Sequence, residues 1–168
     1  ARLINGLNEK KYEIIFLTIS KPYIKNYLIK KIKIIKINTT KTIFSIFKIR
    51  NILKKFSKNE KIIFFSNQNF ANIISFFILY KFKNIKHVIV ERNHIDEFNY
   101  YKNIFDYIKK KIIILLMIIL YKKADLVIGN AKKLSEDLSK ITKIKVKTIY
   151  NPAFDNSIFK LSKKKNKY

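Results

Sequence analysis

Residues 122–152, KKADLVIGNAKKLSEDLSKITKIKVKTIYNP, constrain the fold more tightly than any other stretch of the chain. A short apolar run at 125–128 stops at Gly129 and Asn130, after which Leu134, Leu138 and Ile141 recur at helical spacing. A strand therefore feeds a helix. Asn130 stands where an N-cap would accept a hydrogen bond from the first free amides of that helix. Residues 146–150 form a second β-rich run, halted by Asn151 and Pro152, because proline restricts the residue before it and brings no donor to a ladder. Strand, helix, strand in about thirty residues is one βαβ unit, and such units build parallel sheets.

The same alternation is expected along the rest of the chain. Residues 1–11 place Leu3, Ile4 and Leu7 on one helical face, and 12–19 read as a strand. Lysine and isoleucine alternate over 31–37, the pattern of a strand at a sheet edge. Thr39 or Thr40 would cap a helix over 42–56, with Ile43, Ile46, Phe47, Leu53 and Phe56 turned inward. A continuous apolar strand at 62–65 suits a sheet covered on both faces, and a helix over 70–82 follows the polar cluster Ser66, Asn67, Gln68 and Asn69. Another strand at 87–90 leads into Glu91, Arg92, Asn93 and His94, then a helix over 105–123. The fold class implied is α/β, a Rossmann-like parallel sheet flanked by helices. One domain would span 1–155, with 156–168 a lysine-rich tail or linker stub.

The longest apolar run, 112–120, has nine residues, well short of the roughly 20 that span a bilayer. It is read as a buried helix. Lysines at 109–111 and 122–123 would suit, as the lesser alternative, a helix lying at a membrane interface. The chain carries 37 Lys and Arg against 11 Asp and Glu, a formal charge of +26, and its only arginines are Arg2, Arg50 and Arg92. Compositional drift explains such a lysine excess, and attraction to an anionic membrane surface is the functional alternative. There is no cysteine, and only His87 and His94 are present, so neither a disulfide frame nor a histidine-rich metal site is expected. No signal peptide is visible, so the expected address is cytoplasmic, with peripheral attachment to the inner face of the cell membrane as an addition.

Ala124, Asp125, Val127, Ile128, Asn130, Asp137 and Leu138, followed by Ile149, Tyr150, Asn151, Pro152 and, one position late, Asp155, resemble the close of the first domain in glycosyltransferase family 4. That pattern reads A-D-x-V-I-x-N-S-x-x-x-x-D-L and then I-Y-N-P-x-D. Ala131 replaces the usual serine. The resemblance implies the N-terminal, acceptor-binding half of a GT-B fold. In that family an opening strand and a glycine-rich turn come first. Neither is in this sequence, whose only glycines are Gly6 and Gly129, so the first strand is expected to be missing. Because the first strand of a doubly wound sheet is central, the strands at 13–18 and 61–66 would either pair directly or leave a gap.

The family also implies the chemistry: transfer of a hexose from a nucleotide sugar to a lipid-linked or surface glycan, as in polysaccharide biosynthesis, with no cofactor beyond the donor substrate. The donor would be held mainly by a C-terminal domain bearing two glutamates separated by seven residues. No two glutamates here stand eight positions apart, so that domain is a missing partner and the fragment is expected to be inactive alone. Relatives carry a similar loop after the 87–90 strand, which makes His94 the catalytic candidate by position. Asn67, Glu91, Arg92, Asn93, Asn130 and Asn151 are the substrate-binding candidates, since open α/β sheets bind ligands at the carboxyl ends of their strands. Arg92 suits bidentate phosphate or carboxylate recognition. His87 reads as structural, and no metal ligand set is expected.

Three rival readings remain. A basic nucleic-acid-binding module would account for charge and aromatic content, but Phe47, Phe56, Phe65 and Phe77 fall on expected core positions and leave few rings to stack bases. No specific nucleic acid partner is therefore expected. A two-lobed nucleotide-sugar epimerase would share the βαβ series without the I-Y-N-P ending. A non-functional gene remnant is the third.

Overall fold

A computed structural model describes residues 12–19, 32–57 and 61–151. The expected helix at 1–11, Gly6, Pro152, Asp155 and the tail at 156–168 lie outside the described residues. Two parallel strands, β1 (Ile15–Thr18) and β2 (Lys33–Lys36), form one small sheet. A single 3-10 turn (Thr42–Phe44) leads into α1 (Ser45–Phe56). A four-stranded sheet follows, built from β3 (Ile62–Asn67), β4 (Ile85–Glu91), β5 (Leu126–Gly129) and β6 (Lys147–Thr148). Its crossover helices are α2 (Asn69–Leu79), α3 (Ile104–Leu120) and α4 (Lys132–Thr142).

The larger sheet runs β3-β4-β5-β6 in sequence order, every pair parallel. Sequential parallel order with crossovers of one hand sets the helices side by side on one face, and α1 touches α2, α2 touches α3, and α3 touches α4. The expected α/β layering is thus present. No ladder joins the β1–β2 pair to β3, so of the two arrangements expected there, the molecule adopts the gap. Both sheets nonetheless share a core in which Ile37, Leu17 and Ile35 meet Ile49 and Leu53 of α1, Ile74 and Ile78 of α2, and Ile85 of β4. A second cluster joins Ile89 and Val127 to Ile73, Met117, Leu134 and Leu138.

Several expectations about faces are corrected. Along α1 the buried line is Ser45, Ile49 and Leu53, and Ile43 and Phe47 point to solvent, Phe47 with 77% of its surface free. Ser45 can occupy the inward line because its hydroxyl donates to the Thr42 carbonyl at 2.5 Å, which satisfies it locally. Neither Thr39 nor Thr40 caps a helix: the 3-10 turn is preceded by Lys41, and Thr39 Oγ1 is buried without a partner. In β3 only the side bearing Ile62, Phe64 and Ser66 is covered, and Ile63 and Phe65 stand out from the other side. The apolar run at 112–120 is not a buried helix either. Met117 is its only buried residue, and Ile112, Leu115 and Ile119 are exposed.

Candidate functional site at the carboxyl edge of the sheet

Parallel strands in register end together, and here three of them end at one rim. Asn67 of β3 pairs with Val90 of β4, and Glu91 pairs with Gly129 of β5. The ladder then continues by one bond past each strand, Gln68 N donating to Val90 O at 3.2 Å and Asn130 N to Glu91 O at 3.2 Å. Asn67, Arg92, Asn93, His94 and Asn130 are thereby brought to one edge, and Asn151 follows β6 on the same side. Asn67, Arg92 and Asn151 are exposed, and Asn93, His94 and Asn130 are half-buried.

Backbone geometry at this rim is unusual in two places. Gln68 holds φ 77° and ψ 145° as it turns the chain from β3 into α2. A non-glycine residue in that region carries local strain of about 1–3 kcal/mol, held in place by the surrounding bonds; here Gln68 is tied through both its amide and its carbonyl, which accepts from Asn72 N at 2.8 Å. Gly129 ends β5 directly against the first turn of α4. A Cβ at that position would run into Ser135 Oγ and lie 3.2 Å from the Ser135 backbone, so any other residue would have to displace Ser135.

That approach decides how α4 begins. Asn130 does not cap it: the N-cap is Ala131, which has no side-chain oxygen to offer the helix amides. The first amides of α4 consequently open toward the rim uncapped, and the partial positive charge of a helix start favours an anion there.

His94 caps the 3-10 turn Ile95–Asn99, its Nδ1 accepting from Asp96 N at 3.3 Å. The same Nδ1 lies 2.9 Å from Asp96 Oδ2 and Nε2 lies 3.3 Å from Asp137 Oδ2 of α4, so the ring sits between two carboxylates. Asp137 is held in turn by Lys133 at 3.1 Å. Sequence reasoning named Asp137 only as a motif match and missed it as the partner of His94. Asn93 donates to Glu97 Oε2 at 3.1 Å. The Arg92 guanidinium makes no hydrogen bond or ion pair with any described residue. Arg50, by contrast, is spent on structure: its Nη1 donates to the Phe77, Ile78 and Tyr80 carbonyls at the end of α2.

Glu91 is the one candidate the structure removes from the surface. It is 1% exposed, turned beneath the rim into the core, where Asn72 Nδ2 donates to its Oε1 at 2.7 Å and the Tyr121 hydroxyl donates to the same atom. Glu91 Oε2 and Asn72 Oδ1 are both buried without a hydrogen-bond partner. Burial pushes the Glu91 carboxyl above its usual range, against the opposing effects of Tyr121, Asn72 and the Arg92 amide. Burial, and then the adjacent carboxylate, push the Tyr121 phenol up as well. Glu91 therefore lies beneath the rim, turned away from solvent, where it holds Asn72 and Tyr121.

His87 is buried on the same face of β4, as its structural reading required. Its Nε2 lies 2.7 Å from Ser75 Oγ and 3.1 Å from Ser66 Oγ, and the Phe76 ring meets it edge-on at 4.7 Å. Burial lowers it to about 4, against the pull of Asp125. Asp125, another motif position, clamps the start of β5 to β4 by accepting from His87 N at 2.8 Å and from Lys86 Nζ at 2.7 Å. Those two bonds hold its carboxyl below the usual range. Among the described residues no cluster of His, Cys, Asp and Glu could hold a metal ion.

No protein-family model matches the chain, and no curated protein matches it.

Proposed function

We propose that this chain is the acceptor-side half of a glycosyltransferase, moving a hexose from a nucleotide sugar to a lipid-linked or surface glycan together with a donor-binding domain. The observation that carries this reading is the Arg92 guanidinium, unpaired among the described residues, which shares one rim with Asn67, Asn130 and the start of α4. Arg92 would take a phosphate or carboxylate through two parallel N–H bonds, the α4 amides would add a second positive pole, and Asn67, Asn93 and Asn130 would meet sugar hydroxyls. His94, whose Nε2 lies 3.3 Å from Asp137 Oδ2, is the group placed to exchange a proton with a bound hydroxyl once that contact loosens. Most of the rate would come from electrostatic preorganisation after water leaves the closed cleft.

Titration with a sugar phosphate, followed by amide chemical shifts of the full chain, tests this. Perturbation should cluster at Asn67, Arg92 and Asn130, and Arg92→Ala should weaken binding by about tenfold or more, as expected for loss of a charge-assisted bidentate pair. Shifts scattered away from the rim, or an unaffected Arg92→Ala protein, would sink the proposal.

One observation favours a second reading. Phe47, Phe65 and Phe77, expected in the core, are each at least half exposed on a chain of charge +26, and only Phe56 is partly buried. Stacking of single-stranded nucleic acid on those rings remains open to a salt titration: binding that survives moderate salt and falls in Phe47→Ala supports it, and binding lost to salt alone does not.

A further inference from the structure

Helix α3 turns its apolar side the wrong way for a soluble core. Ile104, Phe105, Ile108, Ile112, Leu115 and Ile119 are all exposed, Phe105 by 79%. At about 100° per residue these positions fall within roughly 60° of one line along the helix. Opposite them Ile113, Leu116, Met117 and Leu120 pack inward against Ile73, Ile89 and Leu134. The outward stripe is therefore additional to the face that the fold consumes. Between α3 and α2 the stripe deepens into a groove lined by Phe70, Ile73, Phe105, Ile108, Ile112 and Leu116. Phe70 and Phe105 belong to the first turns of their helices, so the groove begins at the same end of the molecule as the rim.

The charges around the stripe are arranged on its borders. Lys109 and Lys111, both exposed, lie on either side of it, with Lys111 Nζ 5.4 Å from the Tyr107 ring. Lys122 and Lys123 follow the last turn. The only acidic residue of α3, Asp106, is neutralised by Lys110 at 3.3 Å. Such a stripe excludes a second copy as its natural cover, since that would oppose like lysines on chains of charge +26. A helix of 17 residues is about 25 Å long, short of a hydrocarbon core of about 30 Å, and no helix among the described residues is long and apolar enough to cross a membrane. An apolar line bordered by lysines fits a helix lying in the plane of a bilayer surface, its rings among the acyl chains and its ammonium groups at anionic headgroups.

We infer that α3 docks the protein onto an anionic lipid surface, with Phe105, Ile108, Ile112, Leu115 and Ile119 inserted and Lys109 and Lys111 at the headgroups. This does not depend on the sugar-transfer reading, and binding is measured with neither donor nor acceptor present. The full chain is sedimented with mixed phosphatidylcholine and phosphatidylglycerol vesicles and with phosphatidylcholine alone. The expected result is binding to the anionic vesicles only, reduced about tenfold or more by Ile112→Gln/Leu115→Gln and by Lys109→Glu/Lys111→Glu, with unchanged circular dichroism. Lys54→Glu/Lys55→Glu, an equal charge change on α1, should reduce it far less. Equal losses in the two charge-reversal pairs would show generic attraction and overturn the inference. So would wild-type affinity in Ile112→Gln/Leu115→Gln, or self-association abolished by those substitutions in a chain that ignores vesicles.

Discussion

Four residues apart on the same face of β4, His87 and Glu91 are two buried titratable groups that burial shifts in opposite directions. His87 gives up its proton readily: burial lowers it from 6.5 to about 4, and two serine hydroxyls and two aromatic rings complete its surroundings. Glu91 is shifted the other way: burial raises it from 4.5, and its Oε2 is buried without a hydrogen-bond partner. The strand thus carries a group that resents acid beside one that resents base. One lies in the middle of the sheet and the other directly beneath the rim, so pH reaches the candidate site and the core through different residues.

The largest effect expected from breaking this comparison is that of Glu91→Ala. It leaves the Tyr121 hydroxyl and the Asn72 amide buried without their acceptor and opens a void, which should lower stability by about 3–5 kcal/mol in urea melts. Next comes acid. The unfolded chain protonates His87 near 6.5 while the native imidazole resists to about 4, so its contribution is complete above 6.5 and is lost as pH falls through that window, by about 3 kcal/mol. His87→Gln should flatten that limb of the pH–stability curve. If the limb survives the substitution, another group is responsible.

The smallest effect, Glu91→Gln, sharpens the contrast most. A raised native value means that the Glu91 contribution is present in full below 4.5 and declines as pH rises above it. An amide of the same shape should therefore lower stability by less than about 1 kcal/mol near neutrality and remove the decline on the alkaline side. A loss as large as that of Glu91→Ala would mean that the carboxylate is ionised in the native state.

What could be read from residue order was the layering and the rim, because period and punctuation settle strands, helices and where each parallel strand stops. What could not be read was direction. α3 is apolar almost throughout, so its period has no phase and nothing local says that Ile112 faces out and Met117 in. In α1 the inward line runs through Ser45, a polar residue satisfied by its own turn, and a search for an apolar stripe selects Phe47 instead. Asn130 looks like a cap until β5 is seen to continue through Gly129, which moves the helix start to Ala131. Glu91 resembles a loop carboxylate because its partners are 19 and 30 positions away. Asn72 and Ser75 in the otherwise apolar helix 69–79 were the available signal, since polar residues on a buried face imply polar company across from them.

The split between the two sheets has a mechanical consequence. Among the described residues no ladder crosses it, and β1 and β2 meet the rest through side chains packed on Ile49 and Leu53 of α1, Ile74 and Ile78 of α2 and Ile85 of β4. Water entering between the two sheets would release the small one as a unit while the amides of β4 and β5 stay closed. The molecule then has a hinge line without a hinge residue: a seam that parts by sliding packed isoleucines and breaks no interstrand bond.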